Sequence, residues 1–556
     1  MKITITHALA LSLPALAVAS AVSAATPVVD PAKLLEHIKV LSSDDFEGRL
    51  PGTAGEDKTV DYLTQQFKAL GLEPGNPDGS YVQKVDLVGI TSHPSASFSG
   101  CGAEVALKFP DTFVAGTTQV KPEVAISNSD LVFVGYGVSA PEYGWDDYKD
   151  VDVRGKTIVM LVNDPAIPDP KDPGQLDDSM FKGKAMTYYG RWTYKYEIAA
   201  AKGAAGALIV HETKPAAYPY EVVKSGWNGE KFVLKSPDNN GGDVPVRGWM
   251  TEQTSRALFG KCGLDFDALK KAALSKDFKP VALKAGFTAK IDNEIRQVGS
   301  KNVVAKITGS DPKHKDEFLV YTAHWDHLGK KDTDGKTVIY HGALDNASGI
   351  AGILEIARAF KADKAKPKRS VLFLAVTAEE QGLLGSAQYA ATPLYPLAKT
   401  VANLNIDVMN PWGKTRDVSV VGSGQTTLED LLVKEAKKQG RVVKPDATPE
   451  TGGYFRSDHF ELVKKGVPAL NMEGGEEVVG KPEGFGAAKA KEYTANDYHK
   501  PSDEVKPDWD LSGAAQDAEL LFNVGRDVVD GLAPVDFKPT SEFKATRDAL
   551  LKGAAQ

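Results

Sequence analysis

Apolar strand patterns and helical patterns alternate through the second half of this 556-residue chain. Short apolar runs at 317–322 and 370–377 are followed by helical periodicity at 348–360 and 382–391. The alternation continues in predicted strands at 401–407, 418–421 and 468–472 and in predicted helices at 427–438 and 512–529. Because each helix has to cover a face of the sheet, this order is typical of an α/β protein. We therefore predict a mixed, mostly parallel sheet flanked by helices.

Side chains that bind metal ions lie where the predicted strands end. His324 follows the strand at 317–322, Glu379 and Glu380 follow the strand at 370–377, and Asp407 ends the strand at 401–407. Open α/β sheets bind their ligands at the carboxyl ends of the strands. Imidazole and carboxylate groups suit Zn²⁺, so these side chains are candidate metal ligands. Asp326 is placed to accept the second N–H of the His324 ring.

Two further candidates lie outside these strand ends. Asp345 lies in the glycine-rich turn 342–349, and His499 lies in the segment 497–503. Each candidate is ordinary alone, since an Asp in such a turn is also a good helix cap and two adjacent glutamates are also typical of a solvated helix start. We expect one of the two glutamates to bind metal and the other to act as a base. The two histidines and the three remaining carboxylates then have the composition of a site that binds two zinc ions.

The charge balance excludes one class of partner. The chain has 66 Lys and Arg against 74 Asp and Glu, a net charge of −8, and no basic stripe offsets this excess. We therefore expect no nucleic-acid partner. The hydrophobic fraction of 42% and the charged fraction of 25% are those of a globular protein, and the length predicts two or three domains.

The first 25 residues have the pattern of a secretory signal peptide. Lys2 precedes an apolar run at 8–22 that ends in small residues, and we expect cleavage after Ala24 or Ala25. The run is short and broken by Pro14, which favours a signal peptide over a membrane anchor. We expect an exported protein, periplasmic or extracellular, with no membrane span after cleavage.

The chain has two cysteines, Cys101 and Cys262, and neither lies near the candidate metal ligands. They are therefore not expected to bind metal. An oxidising compartment would allow them to form a disulfide, and two buried free thiols are the alternative.

The motifs, in their order along the chain, resemble those of the co-catalytic zinc aminopeptidase family, which also contains glutamate carboxypeptidase and the catalytically inactive transferrin receptor. The resemblance covers 31–85 and 302–532 and implies a zinc-exopeptidase-like fold with two Zn²⁺ per chain. It also implies a ligand set: His324 and Asp407 for one zinc, Glu380 and His499 for the other, and Asp345 as the bridge between them.

The same resemblance implies three catalytic roles. Glu379 is the general base that activates a metal-bridging water, and Asp326 is the hydrogen-bond partner of His324. Tyr498 occupies the place of a tyrosine that polarises the substrate carbonyl in some members of the family. Neither His327 nor His341 is expected to bind metal, because the ligand set is complete without them.

A second segment resembles the part of the family that lines the substrate pocket. It consists of Tyr454, Phe455, Arg456, Ser457 and Asp458. A helix start with Ser457 or Asp458 as its cap is the alternative interpretation.

The middle of the chain has a different, β-rich character. Predicted strands at 131–136 and 157–162 are separated by turns, and a predicted helix at 195–202 leads into a buried strand near 207–210. The glycine-rich and small-residue segments here resemble motifs of the protease-associated domain. The predicted organisation is a signal peptide at 1–25, catalytic segments at 26–95 and 296–535, an inserted protease-associated domain with flanking β segments at 96–295, and a tail at 536–556.

These features predict a metallo-aminopeptidase that removes N-terminal residues from peptide substrates. A carboxypeptidase of the same superfamily is the first alternative, ranked lower because Arg456 alone is available near the pocket motifs to bind a C-terminal carboxylate. A glutaminyl cyclase would use one zinc. A non-catalytic receptor or peptide-binding module is the alternative from a different class, and a missing ligand would favour it, but all five are present.

Overall fold

A computed structural model describes residues 29–102, 105–333, 335–531 and 534–554. The predicted signal peptide lies outside the described residues. Among the helices of the described ranges, none combines the length and the apolar character needed to cross a bilayer.

Strands and helices follow one another along the whole described chain. The strands are β1 (Glu73–Pro74), β2 (Val82–Gly100), β3 (Val105–Ala106), β4 (Phe113–Gly116), β5 (Glu123–Phe133), β6 (Ser139–Ala140), β7 (Trp145–Asp146), β8 (Thr157–Leu161), β9 (Gly206–His211), β10 (Glu230–Leu234), β11 (Val246–Thr251), β12 (Val281–Ile307), β13 (Phe318–His324), β14 (Lys330–Thr333), β15 (Lys336–Ile339), β16 (Ser370–Val376), β17 (Thr400–Asn405), β18 (Asp417–Val420), β19 (Val442–Pro445) and β20 (Ala469–Gly474).

The helices are α1 (Pro31–Leu41), α2 (Ala54–Ala69), α3 (Trp192–Ala201), α4 (Thr213–Ala216), α5 (Tyr220–Gly226), α6 (Glu252–Lys261), α7 (Phe266–Ala272), α8 (Ser348–Ala362), α9 (Leu384–Ala391), α10 (Leu428–Lys438), α11 (His459–Val463), α12 (Phe485–Asn496), α13 (Ser512–Gly531) and α14 (Lys544–Ala554). The helices predicted at 348–360, 427–438 and 512–529 are confirmed as α8, α10 and α13.

The sheet that carries the candidate site is mixed and mostly parallel, as predicted. Its strand order is β19-β18-β20-β17-β13-β16-β12. The four central strands β20, β17, β13 and β16 are parallel, whereas β12 runs antiparallel to β16 and β18 runs antiparallel to β20. Because the central strands are parallel, their carboxyl ends meet at one edge.

Both faces of this sheet are covered, which explains why β13 and β16 are buried along their whole length and mostly apolar. Successive side chains of a strand point to opposite faces. Leu319 and Tyr321 pack on one side with α1, α2, α8 and α13. Phe318 and Val320 pack on the other side with side chains of α9, α11 and α14.

The N-terminal helices belong to this same core although they lie far from it in sequence. Helices α1 and α2 both lie between residues 31 and 72. Phe67 of α2 packs beside Phe373 of β16, with ring centroids 6.4 Å apart. Residues 31–72 and 303–535 therefore share one hydrophobic core.

The middle region is a second, smaller α/β unit rather than a purely β-rich one. Strands β5, β8, β9 and β11 are parallel neighbours, and β4 adds an antiparallel edge. Side chains of α3 and α5 cover one face, and those of α6 and α7 cover the other. Its identity as a protease-associated domain stays a prediction.

Two long strands connect the units. β12 pairs antiparallel with β2 from Ala285–Gly100 to Val303–Val82, and the same strand pairs with β5 at one end and with β16 at the other. The sequence did not predict this pair. Cys101, just after β2, forms a disulfide with Cys262, just after α6, which decides between the two alternatives for the cysteines.

The middle unit also packs against the candidate substrate segment. Met186 and Tyr188 contact a buried cluster that contains Tyr454, Phe455 and Phe460. The Met186 amide donates a hydrogen bond to the Pro449 carbonyl at 3.1 Å. Side chains of 537 and 543, from the segment predicted to be a tail, complete this cluster.

Candidate metal centre

His324 is the last residue of β13, and its side chain is buried. Its Nε2 atom lies 3.3 Å from Oδ1 of Asp345 and 3.2 Å from Oδ1 of Asp407. Asp407 follows β17, the parallel neighbour of β13, so the two side chains meet because both strands end at the same edge. The three ligand atoms form a compact group that a single cation fits.

Asp345 lies between two imidazoles. Its second oxygen, Oδ2, lies 3.2 Å from Nε2 of His499, whereas Oδ1 faces His324. The same Nε2 of His499 lies 3.0 Å from Oε2 of Glu380. The structure thus brings all five predicted ligands together, with one oxygen of Asp345 turned toward each histidine.

The turn that carries Asp345 is held by hydrogen bonds to its neighbours, and its Asp345–Asn346 peptide bond is cis. The Asn346 side chain accepts from the amides of Gly349 and Val408 and donates to the Ile406 carbonyl. These bonds fix the turn to the chain on both sides of Asp407. They therefore set the position of Asp345 relative to Asp407.

Asp503 also holds the turn that carries Asp345. Its carboxylate accepts hydrogen bonds from the backbone amides of Leu344, at 3.0 Å, and Asp345, at 3.1 Å. Because Asp503 lies four residues after His499, one loop both presents His499 and anchors Asp345. Sequence reasoning missed this role, although Asp503 lies within the segment 497–503 that drew attention to His499.

Asp326 has a different partner from the one expected. Its Oδ1 lies 3.8 Å from Nδ1 of His324, and the atom nearest to that nitrogen is the Asp326 carbonyl oxygen at 3.2 Å. The carboxylate instead accepts the amides of Glu379, at 3.0 Å, and Glu380, at 3.4 Å. Asp326 therefore orients the turn that presents the two glutamates.

Glu379 reaches the site beside His324. Its Oε2 lies 3.9 Å from Nε2 of His324, and its side chain is 12% exposed. Burial raises the pKa of Glu379 well above its ordinary value; His324 lowers it, and the carboxylates of Asp407 and Glu380 raise it. A carboxylate with a raised pKa is suited to accept a proton.

The site has an excess of buried negative charge. Burial raises the pKa of Asp326 to about 8, with Glu380 raising it and His324 lowering it. Although burial alone would lower the pKa of His499, hydrogen bonds to Asp345 and Glu380 raise it to about 10. Carboxylates crowded in this way repel one another, and a bound cation relieves the repulsion.

The residues present fit zinc. Zinc bonds of about 2.0–2.2 Å at tetrahedral angles separate the ligand atoms by about 3.3–3.6 Å. The nitrogen–oxygen distances around His324 and His499 are between 3.0 and 3.3 Å, at or just below the lower end of this range. Within the described residues, a second group of metal-binding atoms shares Asp345 and combines it with Glu380 and His327. The geometry therefore has room for two cations joined by Asp345.

Tyr498 lies at the rim of this site. Its side chain is 42% exposed, and its ring stacks on His499 with centroids 3.9 Å apart. The phenol is thus next to the candidate ligand, and its contact with a substrate carbonyl stays a prediction.

The candidate substrate segment is more buried than a pocket lining requires. Tyr454 and Phe455 are each 4% exposed and pack in the cluster with Tyr188, and Asp458 accepts a hydrogen bond from Ser386. Ser457 donates to Oδ2 of Asp407 at 2.7 Å, so it contacts a candidate ligand. Arg456 is the exposed member of the five. Their contact with substrate stays a prediction.

Sequence reasoning also missed Arg49, in the loop between α1 and α2. This buried guanidinium donates to the carbonyls of Leu41, Trp325, His341 and Gly342. It therefore ties the N-terminal segment to the backbone on both sides of the candidate site. An arginine in a glycine-rich loop gives no local signal of burial, because three of its four partners are more than 270 residues away.

The fold and site define an α/β protein with a candidate metal centre at the carboxyl edge of its parallel strands. The sequence profile described as Peptidase family M28 matches residues 302–522, which contain all five predicted ligands. This match over residues 302–522 is in line with the co-catalytic zinc aminopeptidase superfamily that the sequence motifs resemble.

Named relatives share part of the chain. A "Probable zinc metalloprotease" of Pyrenophora teres f. teres (strain 0-1) is 36% identical over 120 residues, which are 21% of this chain and 25% of the relative. "Leucine aminopeptidase 2" of Trichophyton rubrum is 31% identical over 217 residues, 37% of this chain and 40% of the relative. The chain thus matches well under two thirds of these relatives' lengths.

A solved structure is similar over most of the chain. It is described as "Aminopeptidase from Aneurinibacillus sp. strain AM-1", with 18% sequence identity and a TM-score of 0.48. The similarity covers 92% of this chain and 95% of the other.

Proposed function

We propose that this protein is a zinc-dependent exopeptidase that removes N-terminal residues from peptides outside the cytoplasm, with two zinc ions per chain. One observation carries the proposal: the two oxygens of Asp345 face two different histidines, each of which also meets a second carboxylate. This arrangement is that of a bridging ligand. The match of residues 302–522 to Peptidase family M28 and the names of the relatives support the choice of zinc and of peptide hydrolysis.

In the proposed site, His324 and Asp407 hold one ion, Glu380 and His499 hold the other, and Asp345 holds both. Zinc in such a site supplies Lewis acidity and lowers the pKa of water. Asp345 and Glu380 are presented by backbone that Asp503 and Asp326 fix through amide hydrogen bonds. The ligands are therefore held in place before any ion or substrate arrives, which reduces the reorganisation that binding requires.

Glu379 performs the proton transfers in this proposal. Its carboxylate lies at the edge of the site, partly exposed and beside the candidate ligands, so it can reach both the attacking water and the leaving amine. It takes a proton from the water and delivers it to the amine nitrogen when the peptide bond breaks. General acid–base catalysis of this kind contributes about 10²- to 10⁴-fold to the rate.

The variant Glu379→Gln tests this role. We expect its turnover of aminoacyl-anilides to fall about 10²- to 10⁴-fold, with zinc content near that of the wild type, because Glu379 is not among the proposed ligands. Glu483→Gln is the matched control, since Glu483 is exposed in a turn. Wild-type turnover in Glu379→Gln would contradict the proposed mechanism.

The structure adds an observation in favour of a second candidate, a carboxypeptidase. The sequence offered Arg456 alone as a carboxylate-binding group, but Arg191 of the middle unit lies close to it. Burial lowers the pKa of Arg191 to about 10, and the charge of Arg456 lowers it as well. The buried Nε atom of Arg191 has no hydrogen-bond partner. Two adjacent guanidinium groups are suited to bind a substrate carboxylate.

Blocked peptides separate the two activities. An aminopeptidase cleaves a C-amidated peptide and fails on its N-acetylated counterpart, whereas a carboxypeptidase shows the reverse pattern. We expect the first pattern. Cleavage of the N-acetylated peptide alone would make the carboxypeptidase the correct assignment.

Export is proposed from the N-terminal pattern at 1–25. The Cys101–Cys262 disulfide supports this location, because disulfides persist in oxidising compartments. N-terminal sequencing of protein recovered from outside the cytoplasm is expected to begin near Ala25 or Thr26. A full-length chain that stays in the cytoplasmic fraction would contradict the proposed export.

A further inference from the structure

His327 is a third histidine at the site, although the ligand set was complete without it. Its side chain is fully buried, and neither ring nitrogen has a hydrogen-bond partner. Its Nδ1 atom lies 2.8 Å from Oε1 of Glu380, which also has no hydrogen-bond partner. Burying a polar group without a hydrogen-bond partner is unfavourable, so this pair requires an explanation.

These two atoms lie at hydrogen-bond distance but form no hydrogen bond. A nitrogen and an oxygen 2.8 Å apart bond when the N–H points at the acceptor, and the interaction weakens steeply when it does not. Here the distance is met and the direction is not. An imidazole nitrogen and a carboxylate oxygen can lie close together without forming a hydrogen bond when their lone pairs point at a common third position. The ligand atoms of a single cation have this arrangement.

The ring is held in this orientation by its surroundings. The His327 amide donates to the Arg49 carbonyl at 3.3 Å. Gly342 packs so close that an added Cβ atom would lie 2.6 Å from Cγ of His327. Gly342 also has a φ of +57°, a backbone conformation that favours glycine. The imidazole is therefore fixed before any ion binds.

We propose that His327 is a further ligand of the cation that Asp345 and Glu380 hold, an inference that rests on the proposed function. Its nitrogen, an Asp345 oxygen and a Glu380 oxygen all lie within 4.8 Å of one another. The two oxygens of Glu380 then face two different imidazoles, His327 through Oε1 and His499 through Oε2.

His327 and His499 differ in their exposure to solvent. His327 is fully buried, whereas the His499 side chain is 38% exposed at the rim. In the proposed site, the cation at Glu380 would therefore have one fully buried imidazole ligand and one at the rim, whereas the cation at His324 and Asp407 would have a single imidazole.

The variant His327→Ala tests the proposal through metal content. Purified protein is dialysed against a series of zinc buffers, and bound zinc is measured by elemental mass spectrometry. We expect the affinity for one of the two ions to fall at least about tenfold and the other ion to stay bound. His341→Ala is the matched control, because His341 is nearby but contacts Asp44 and the Pro501 carbonyl. Wild-type affinity for both ions in His327→Ala would overturn the proposal.

Two measurements separate a ligand from a residue that only positions Glu380. His327→Gln keeps a side-chain donor for Glu380 but lacks an imidazole, so we expect it to bind zinc as weakly as His327→Ala. Recovery of wild-type affinity in His327→Gln would overturn the proposal in favour of a positioning role. A crystal structure of the zinc-loaded wild type, which needs no variant, is expected to show a His327 nitrogen about 2.0–2.1 Å from an ion. A His327 ring bonded to no ion would overturn it.

Failure of this inference is distinguishable from failure of the proposed function. A wild-type protein that binds no zinc would contradict the proposed function. A wild-type protein that binds two ions, together with a His327→Ala variant that binds both equally well, would contradict this inference alone.

Discussion

Ser457 offers a direct test of how the surroundings of the candidate centre support metal binding. Its buried hydroxyl donates to Oδ2 of Asp407 at 2.7 Å and accepts from Nδ2 of Asn405 at 2.7 Å. Asp407 uses its other oxygen, Oδ1, toward His324. Ser457 therefore fixes the orientation of a proposed ligand without being a ligand itself.

The structure gives the size of the effect expected for Ser457→Ala. The variant loses the short hydrogen bond from Ser457 to the charged Asp407 carboxylate, and hydrogen bonds to charged groups contribute about 1.5–3 kcal/mol to stability. Loss of a group that orients a metal ligand lowers metal affinity about 10- to 100-fold, which corresponds to about 1.4–2.8 kcal/mol. The energy of the hydrogen bond and the expected loss of metal-binding free energy are therefore of similar size. After the change, Asn405 keeps a long 3.4 Å contact with Asn471, so its amide is only partly compensated.

Competition with a chelator measures this effect. Zinc affinity is determined for the wild type, Ser457→Ala and the control Ser423→Ala, whose hydroxyl donates to the Val420 carbonyl away from the centre. We expect one of the two ions to bind about 10- to 100-fold more weakly in Ser457→Ala, and both to bind normally in Ser423→Ala. If both variants bind zinc like the wild type, Asp407 does not depend on Ser457, and its assignment as a ligand loses this support.

Three other predictions concern stability. Burial lowers the pKa of His459 to about 3 from its ordinary 6.5, so the unfolded chain binds more protons than the folded chain between these pH values. Urea unfolding should therefore show that the free energy of unfolding falls by about 2 kcal/mol between pH 7 and pH 5, and that this fall is absent in His459→Phe. Equal falls in both proteins would contradict the prediction. The Cys101–Cys262 disulfide joins residues 161 positions apart, and the chain-entropy estimate for such a loop is about 5 kcal/mol. Replacing both cysteines with alanine should therefore lower the unfolding midpoint, and the denatured wild type should show no free thiol before reduction and two afterwards. Arg49→Met leaves four backbone carbonyls without their hydrogen-bond donor, so the free energy of unfolding should fall by about 3 kcal/mol or more. Arg49→Lys should not restore the wild-type stability, because lysine lacks the planar guanidinium that donates in several directions.

The local patterns of the catalytic sheet were strong enough to predict its elements. The apolar runs at 317–322 and 370–377 became β13 and β16, and the periodic segment at 348–360 became α8. These patterns are readable because buried parallel strands and amphipathic helices each impose a period on the sequence. The same reasoning failed for β2 and β12, whose alternating and polar stretches become one long pair only because distant segments meet.

The sequence by itself determined the class of the sheet, the order of the motifs and the five candidate ligands. Four of them follow a predicted strand or lie in the glycine-rich turn, and the resemblance to the family adds His499 and assigns the ligand set. The tertiary structure decided which atoms meet: Asp326 with the glutamate amides, Ser457 with Asp407, and His327 with Glu380. Such contacts depend on side-chain directions and on chain segments up to hundreds of residues apart, and no local pattern encodes either of them. For that reason the sequence did not indicate His327 as a ligand, whereas the structure places its ring against Glu380.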